Sequence, residues 1–165
     1  KSFFICGSDD LKLSVYNYNT MEKIYEIDAH SDLIRSIIIH PKQNLVLSSS
    51  DDQTISMWDL DNKMQHIRVF EEHTSYVMKL ALNPKEVDMF ASGSTDKRIK
   101  IWSFNNKNSS ITIDAHSKGI ITIAFCPFLE KPYLASGSDD RTIKIWDYSN
   151  KTCLAVLESH EDSVC

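Results

Sequence analysis

The stretch Ser138–Asp147, SDDRTIKIWD, decides the reading of this chain because versions of it recur. They stand at Ser94–Ser103 (STDKRIKIWS), Ser50–Asp59 (SDDQTISMWD) and Ser8–Asn17 (SDDLKLSVYN). The second acidic position falls at Asp10, Asp52, Asp96 and Asp140, in steps of 42, 44 and 44 residues. Six positions later comes an aromatic residue: Tyr16, Trp58, Trp102 and Trp146. His30, His73 and His116 precede the last three aspartates by about the same distance each time, and His160 opens a further cycle. Self-similarity at one long period means supersecondary units that bury their faces only by stacking on neighbours.

Within each unit the pattern predicts four strands. In the second they are LIRSIII (Leu33–Ile39), LVLSSS (Leu45–Ser50), TISMWD (Thr54–Asp59) and HIRVFE (His66–Glu71), the first innermost and the last outermost. His40-Pro41, Asp51-Asp52 and 59–62 separate them with turn-favouring residues. VMKLAL, MFASGS, RIKIWS and SITID repeat the parse, and so do IITIAF, YLASGS, TIKIWD and LAVLES. No segment sustains a 3.6-residue apolar period, so essentially no helix is expected. Runs such as Ile120–Phe125 are apolar or small on both faces, as when a sheet is sandwiched between neighbours.

The His…Asp…Trp frame resembles the WD40-repeat family, in which each repeat forms one blade of a β-propeller. That resemblance implies an all-β propeller fragment with about three complete four-stranded antiparallel blades and partial blades at each end. The repeats are placed at 29–71, 72–114 and 115–158, with a partial one at 1–28 and the start of the next at 159–165. A ring must close to remove its sheet edges, so under four repeats suggest a piece of a larger protein. Uncovered end blades would favour self-association.

The charge is −5 over 165 residues, with 42% hydrophobic and 25% charged side chains. An acidic balance argues against sequence-independent nucleic-acid binding, which needs a basic face. No apolar run reaches the ~18–20 residues of a membrane helix. Cys6, Cys126, Cys153 and Cys165 lack CxxC spacing and are expected as small buried apolar side chains in a reducing, cytosolic setting. No metal or other cofactor motif is present.

A Ser, a His, an Asp and a Trp recur together: His30, Ser48, Asp52 and Trp58; His73, Ser92, Asp96 and Trp102; His116, Ser136, Asp140 and Trp146. Ser/His/Asp invites a hydrolase reading. A catalytic triad is needed once, however, and no GxSxG elbow accompanies these residues. The expected arrangement is structural, a buried chain from indole N–H through Ser and His to Asp. In the first repeat Cys6 and Tyr16 take the Ser and Trp places, so the set is not expected there. His40 and His66 read as solvated residues at a turn and a strand start.

The residue before each paired Asp is Asp9, Asp51, Thr95 or Asp139, and two positions after each His stands Asp32, Ser75, Lys118 or Asp162. These lie on one rim, and five of the eight are acidic. Two readings stay open. Asp is a favoured turn residue; alternatively, the carboxylates form a cluster that receives cations, Asp32 and Asp51 in one blade.

VYNYNTMEK (Val15–Lys23), AHSDLIRSIIIHP (Ala29–Pro41), ALNPKEVDMFASGSTDKRIKIWS (Ala81–Ser103) and KPYLASGSDDRTIKIWDYSNKTCLAVLESH (Lys131–His160) resemble the coatomer beta-prime family, in its first propeller. The resemblance implies a non-enzymatic coat component in Golgi-to-ER transport that binds C-terminal dilysine tails of membrane cargo. Its lysine-receiving aspartates would fall on Asp32, Asp51 and Asp139. It further implies other coatomer subunits as partners, a cytoplasmic location peripheral on Golgi membranes and vesicles, and no nucleic-acid partner. The family's residues for the ligand carboxylate lie mostly upstream of Lys1. The usual Gly before each repeat His is replaced by Ala29, Glu72, Ala115 and Ser159, and Ser49 stands where Gly is common. The competing expectations are a WD40 scaffold in another complex, such as a ubiquitin ligase or signalling assembly, and an enzyme built on the triad-like set.

Overall fold

A computed structural model describes residues 2–128 and 131–165. The turn between the predicted strands IITIAF and YLASGS therefore falls partly outside the described residues. Among those described, every regular element is a strand. β1 (Phe3–Gly7), β2 (Lys12–Asn17) and β3 (Lys23–Asp28) form a three-stranded sheet. β4 (Ile34–Ile39), β5 (Leu45–Ser50), β6 (Ile55–Asp59) and β7 (Gln65–Phe70) form the first four-stranded meander. β8 (Val77–Leu82), β9 (Met89–Ser94), β10 (Arg98–Ser103) and β11 (Ile111–Asp114) form the second. β12 (Ile120–Phe125), β13 (Tyr133–Ser138), β14 (Ile143–Asp147) and β15 (Thr152–Leu157) form the third. The expected all-β propeller architecture is present, as a fragment with three full blades.

Each blade is a consecutive antiparallel meander, so its chain reversals alternate between two ends. The His loops and the paired-Asp turns share one end, here the upper rim. The His40, Asn83 and Cys126 turns and the turns after β6, β10 and β14 share the lower end. The strands of the full blades irregularly shift register at the same two places. One lies between the first two strands (Ile34/Ser36, Val77/Lys79, Ile120/Thr122), and in two blades another precedes the indole (Met57/Trp58, Ile145/Trp146). Bulges of this kind increase strand twist, which is what neighbouring wedges need in order to stack around an axis.

The core lies between blades and explains the two apolar faces. Leu13 and Val15 pack with Val46, Trp58, Leu60 and Met64. Leu47, Ile55, Met57 and Phe70 pack with Val77, Leu80, Phe90, Trp102 and Phe104. Ile99, Ile101 and Ile113 meet Ile120, Ile123, Leu134 and Trp146. The innermost strand of one blade crosses the second strand of the preceding blade, and glycine marks the crossing. A Cβ on Gly93 would lie 2.8 Å from Ile120 Cγ2, and one on Gly7 would lie 2.7 Å from Ile34 Cγ2. Ser49 holds the matching place in β5, and its buried hydroxyl has no hydrogen-bond partner among the described residues. A buried, unsatisfied hydroxyl carries its desolvation cost uncompensated. Ser49→Ala is therefore expected to stabilise the fold by about 1 kcal/mol in urea denaturation; a less stable variant would contradict that reading.

Two expectations are overturned. The cysteines are not buried: Cys6, Cys153 and Cys165 are exposed and Cys126 is intermediate. Strand membership does not bury a side chain where no neighbouring blade covers it, and β15 is exposed along its whole length. His40 is not a solvated turn residue. It is 3% exposed, its Nε2 lies 3.0 Å from Asp88 Oδ1, and its Nδ1 accepts the backbone N–H groups of Lys42 and Gln43. Its ring meets Phe104 edge-on at 4.8 Å, so it ties the first full blade to the second. His66 is exposed and lies edge-on to Trp58.

Candidate functional site

The repeated polar residues converge in all three full blades. Trp58 Nε1 donates to Ser48 Oγ at 2.9 Å, His30 Nε2 lies 2.8 Å from the same hydroxyl, and His30 Nδ1 lies 2.8 Å from Asp52 Oδ2. In the next blade the distances are 2.8 Å for Trp102 to Ser92, 2.7 Å for His73 to Ser92 and 2.6 Å for His73 to Asp96. In the last they are 3.0 Å for Trp146 to Ser136, 2.7 Å for His116 to Ser136 and 2.9 Å for His116 to Asp140. One proton arrangement satisfies every atom: indole N–H to Ser oxygen, Ser O–H to Nε2, Nδ1–H to carboxylate. The geometry is that of a triad, yet the hydroxyls of Ser48, Ser92 and Ser136 are buried, so no substrate carbonyl can reach them. The first blade has instead Phe4 stacked on Tyr16 at 5.1 Å, with Ser8 bonded to Asp10.

Charge reinforces these chains. Burial alone would raise the Asp52 carboxyl, but hydrogen bonds from His30, Thr54 and the Ser31 N–H hold it well below its ordinary range. Asp140 is lowered against its burial by Thr142, His116 and the Ser117 N–H, and Asp96 against its burial by His73. Burial lowers His116 from 6.5, partly opposed by Asp140, which keeps the imidazole neutral. All these folded values lie below their unfolded counterparts. Their stabilisation is therefore fully present above pH 6.5, starts to fall as His116 charges, and falls further below about pH 4 as the carboxylates protonate. A thermal melt series from pH 7 to pH 3 is expected to show a monotonic loss of Tm, with Asp140→Asn flattening the limb below about pH 4. A melting temperature that rises on acidification would contradict it.

The upper rim carries the acidic residues. Asp32 is exposed, its Oδ1 accepting the Leu33 N–H at 2.8 Å. The Asp51 N–H donates to Leu33 O at 3.0 Å and Ser50 Oγ donates to Asp32 O at 2.9 Å, so the Asp32 and Asp51 loops are stitched together. Asp51 itself is buried, and both its carboxylate oxygens are taken by Arg35, with Nε to Oδ1 at 2.8 Å and Nη2 to Oδ2. Arg35 is raised chiefly by that bond, and the charges of Asp9 and Asp32 add to it. One guanidinium is thus bound by Asp51 and feels the charge of two further carboxylates, one of them from the neighbouring blade. Asp139, two blades away, is half-buried, its N–H donating to Gly119 O at 3.0 Å. Asp32 and Asp51 are brought together; Asp139 stands apart in another blade. Arg35 was not among the ligand residues expected from sequence, and Asp9 was expected on the acidic rim but not among the three lysine-receiving aspartates. The signal for Arg35 was present in HSDLIRS, a basic residue on the same rim.

Stacked meanders latched by Trp, Ser, His and Asp define a repeat-built interaction platform in which the recurring serines Ser48, Ser92 and Ser136 are buried. The sequence matches the family model described as "WD domain, G-beta repeat" over residues 21–59, 64–103 and 107–147, and the chain belongs to that family. It is 38% identical over 71 residues to the Neurospora crassa protein named "Probable E3 ubiquitin ligase complex SCF subunit scon-2", covering 43% of this chain and 11% of that protein. It is 28% identical over 86 residues to "Nuclear distribution protein PAC1" of Yarrowia lipolytica, covering 52% and 20% respectively. It is 30% identical over 79 residues to "Pre-mRNA-processing factor 19" of Mus musculus, covering 48% and 16%. The chain thus spans no more than a fifth of the length of these relatives.

Proposed function

We propose that this chain is a non-enzymatic docking scaffold within a multi-subunit assembly, and that its upper rim receives a lysine- or arginine-bearing peptide. The observation that carries the reading is the stitched pair of Asp32 and Asp51 loops, with Arg35 bound to Asp51 and the charges of Asp9 and Asp32 acting on the same guanidinium. These four groups sum to a net negative charge, and Asp9 and Asp32 are exposed to an incoming cation. Exposed ion pairs contribute only ~0.2–1 kcal/mol each. Binding is then weak, multivalent and screened by salt. The relatives' names place WD-repeat proteins in ligase, nuclear-distribution and pre-mRNA-processing settings, which supports a general scaffold more than any one complex.

The coat reading is the narrower version of the same site. There the peptide is a C-terminal dilysine tail, presented to Asp32, Asp51 and Asp139 at the cytoplasmic face of Golgi membranes, beside other coatomer subunits. Its support is the resemblance in HSDLIRS and SDDQT together with the stitched Asp32 and Asp51 loops. Against it stands Arg35, which already holds Asp51.

Fluorescence anisotropy with a labelled peptide ending in a dilysine signal tests both. Saturable binding that weakens with added salt and vanishes when the lysines become serines is the expected result. Equal binding of an internal basic peptide retains the scaffold and removes the coat reading. Equal binding of the serine peptide removes both.

A further inference from the structure

We propose that the lower end, opposite the acidic rim, carries a second docking site, a cleft between the last two blades that takes an acidic peptide segment. The cleft measures about 240 Å³ and is lined by Asn83, Pro84, Lys85, Phe125, Lys131 and Tyr148, among others. Asn83 and Tyr148 among its lining residues are hydrogen-bonded to each other. Asn83 Oδ1 accepts the backbone N–H groups of Lys85 and Glu86 at 2.9 and 3.1 Å, which fixes the orientation of its amide. Its Nδ2 must then face Tyr148 Oη, 3.0 Å away, so the phenol oxygen accepts. The Tyr148 O–H proton consequently has no acceptor among the described residues, although the side chain is 6% exposed. Burial raises the Tyr148 pKa, so the proton stays on. The hydroxyl thus accepts from Asn83 and keeps a proton that a ligand in the cleft can receive.

The charge around the mouth selects an anion. Lys85 and Lys131 line the cleft and neither is ion-paired among the described residues; Lys131 sits 5.9 Å from the Tyr133 ring centre. Among the described lining residues Glu86 is the one carboxylate, against Lys85 and Lys131. The volume falls below the ~300–1,000 Å³ of drug-sized and cofactor sites and suits a carboxylate side chain with one apolar neighbour. Phe128, 75% exposed at the rim, offers that neighbour a surface. A carboxylate received by Tyr148 O–H between two ammonium groups, flanked by an apolar side chain on Phe128, describes an acidic-hydrophobic peptide. The chain's formal charge of −5 disfavours nucleic acid, whose phosphates would need a far larger basic face.

The test uses the full chain and a fluorescein-labelled peptide with the core Leu-Phe-Asp-Glu, with a control in which the acids become Asn and Gln. Saturable binding of the acidic peptide is expected, roughly tenfold tighter than the control. Tyr148→Phe should weaken it several-fold, and Lys85→Ala with Lys131→Ala roughly tenfold, since all keep the cleft's walls. Asp32→Asn on the opposite rim should leave it unchanged, which separates this site from the upper one. No binding up to about 1 mM, equal binding of the control, unchanged affinity in the double lysine variant, or full displacement by single-stranded oligonucleotide would each overturn the proposal.

Discussion

Trp102→Ala is expected to destabilise the chain by about 3–5 kcal/mol, the largest single effect on stability in the molecule. The indole is fully buried. It stacks on Phe90 at 6.1 Å and meets Phe70 edge-on at 5.4 Å, so it sits within the aromatic layer joining the first two full blades. Its Nε1 donates to Ser92 Oγ, and Lys100 Nζ lies 5.8 Å from its ring centre. Truncation would leave a cavity and strip the Ser92 hydroxyl of its donor while His73 and Asp96 remain. Since domains of this size are stable by only ~5–15 kcal/mol, the variant should unfold at far lower urea. Trp102→Phe keeps most of the volume and loses the N–H, so it should cost about 1–3 kcal/mol. Equal midpoints for the two variants would mean that cavity volume is irrelevant here.

The second large effect concerns the rim. Reversing Asp9 and Asp32 to lysine is expected to weaken a basic peptide by about tenfold or more, because two attractive charges become repulsive. Arg35→Ala should act in the opposite sense. It frees the Asp51 carboxylate, which is buried and now neutralised within the chain. A released charge in a partly dry site is worth more than an exposed one, and a ligand cation would take the vacated place, strengthening binding several-fold. Unpairing Asp51 should also lower the stability of the free chain. Binding that strengthens while the melting temperature falls is the combined signature. Weaker binding in Arg35→Ala would show that the guanidinium contacts the ligand itself.

The residues differ in how far the sequence disclosed them. The His30, Ser48, Asp52, Trp58 chain could be read because Ser, Asp and Trp recur at fixed separations in three blades, with the His 22 to 24 residues before the Asp. The strands fell within a residue or two of their expected bounds, since alternating β-branched residues and Asp-rich turns are local signals. Partners set by neighbouring blades were not local. His40 before Pro41 resembles any solvated turn, and its burial comes from Asp88 and Phe104, contributed by the next blade. The same position one repeat on is Asn83 before Pro84, again reaching into the following blade at Tyr148. Comparing those two positions would have disclosed the inter-blade tie. Cys153 was expected to be buried on the strength of its strand, but β15 is uncovered. Asp51 was expected as a ligand carboxylate, yet its occupancy by Arg35 depends on a side-chain direction that spacing does not encode.

Repeat-borne aspartates gathered at one end, and offered to a cationic segment, are the claim on which the functional account turns. Amide chemical-shift mapping with a dilysine-terminated peptide measures it most directly. The account predicts saturating shifts at Asp9, Asp32, Leu33, Arg35 and Asp51, with the lower-end residues Asn83 and Tyr148 unmoved. Shifts centred at the lower end, or spread evenly over both, would contradict it.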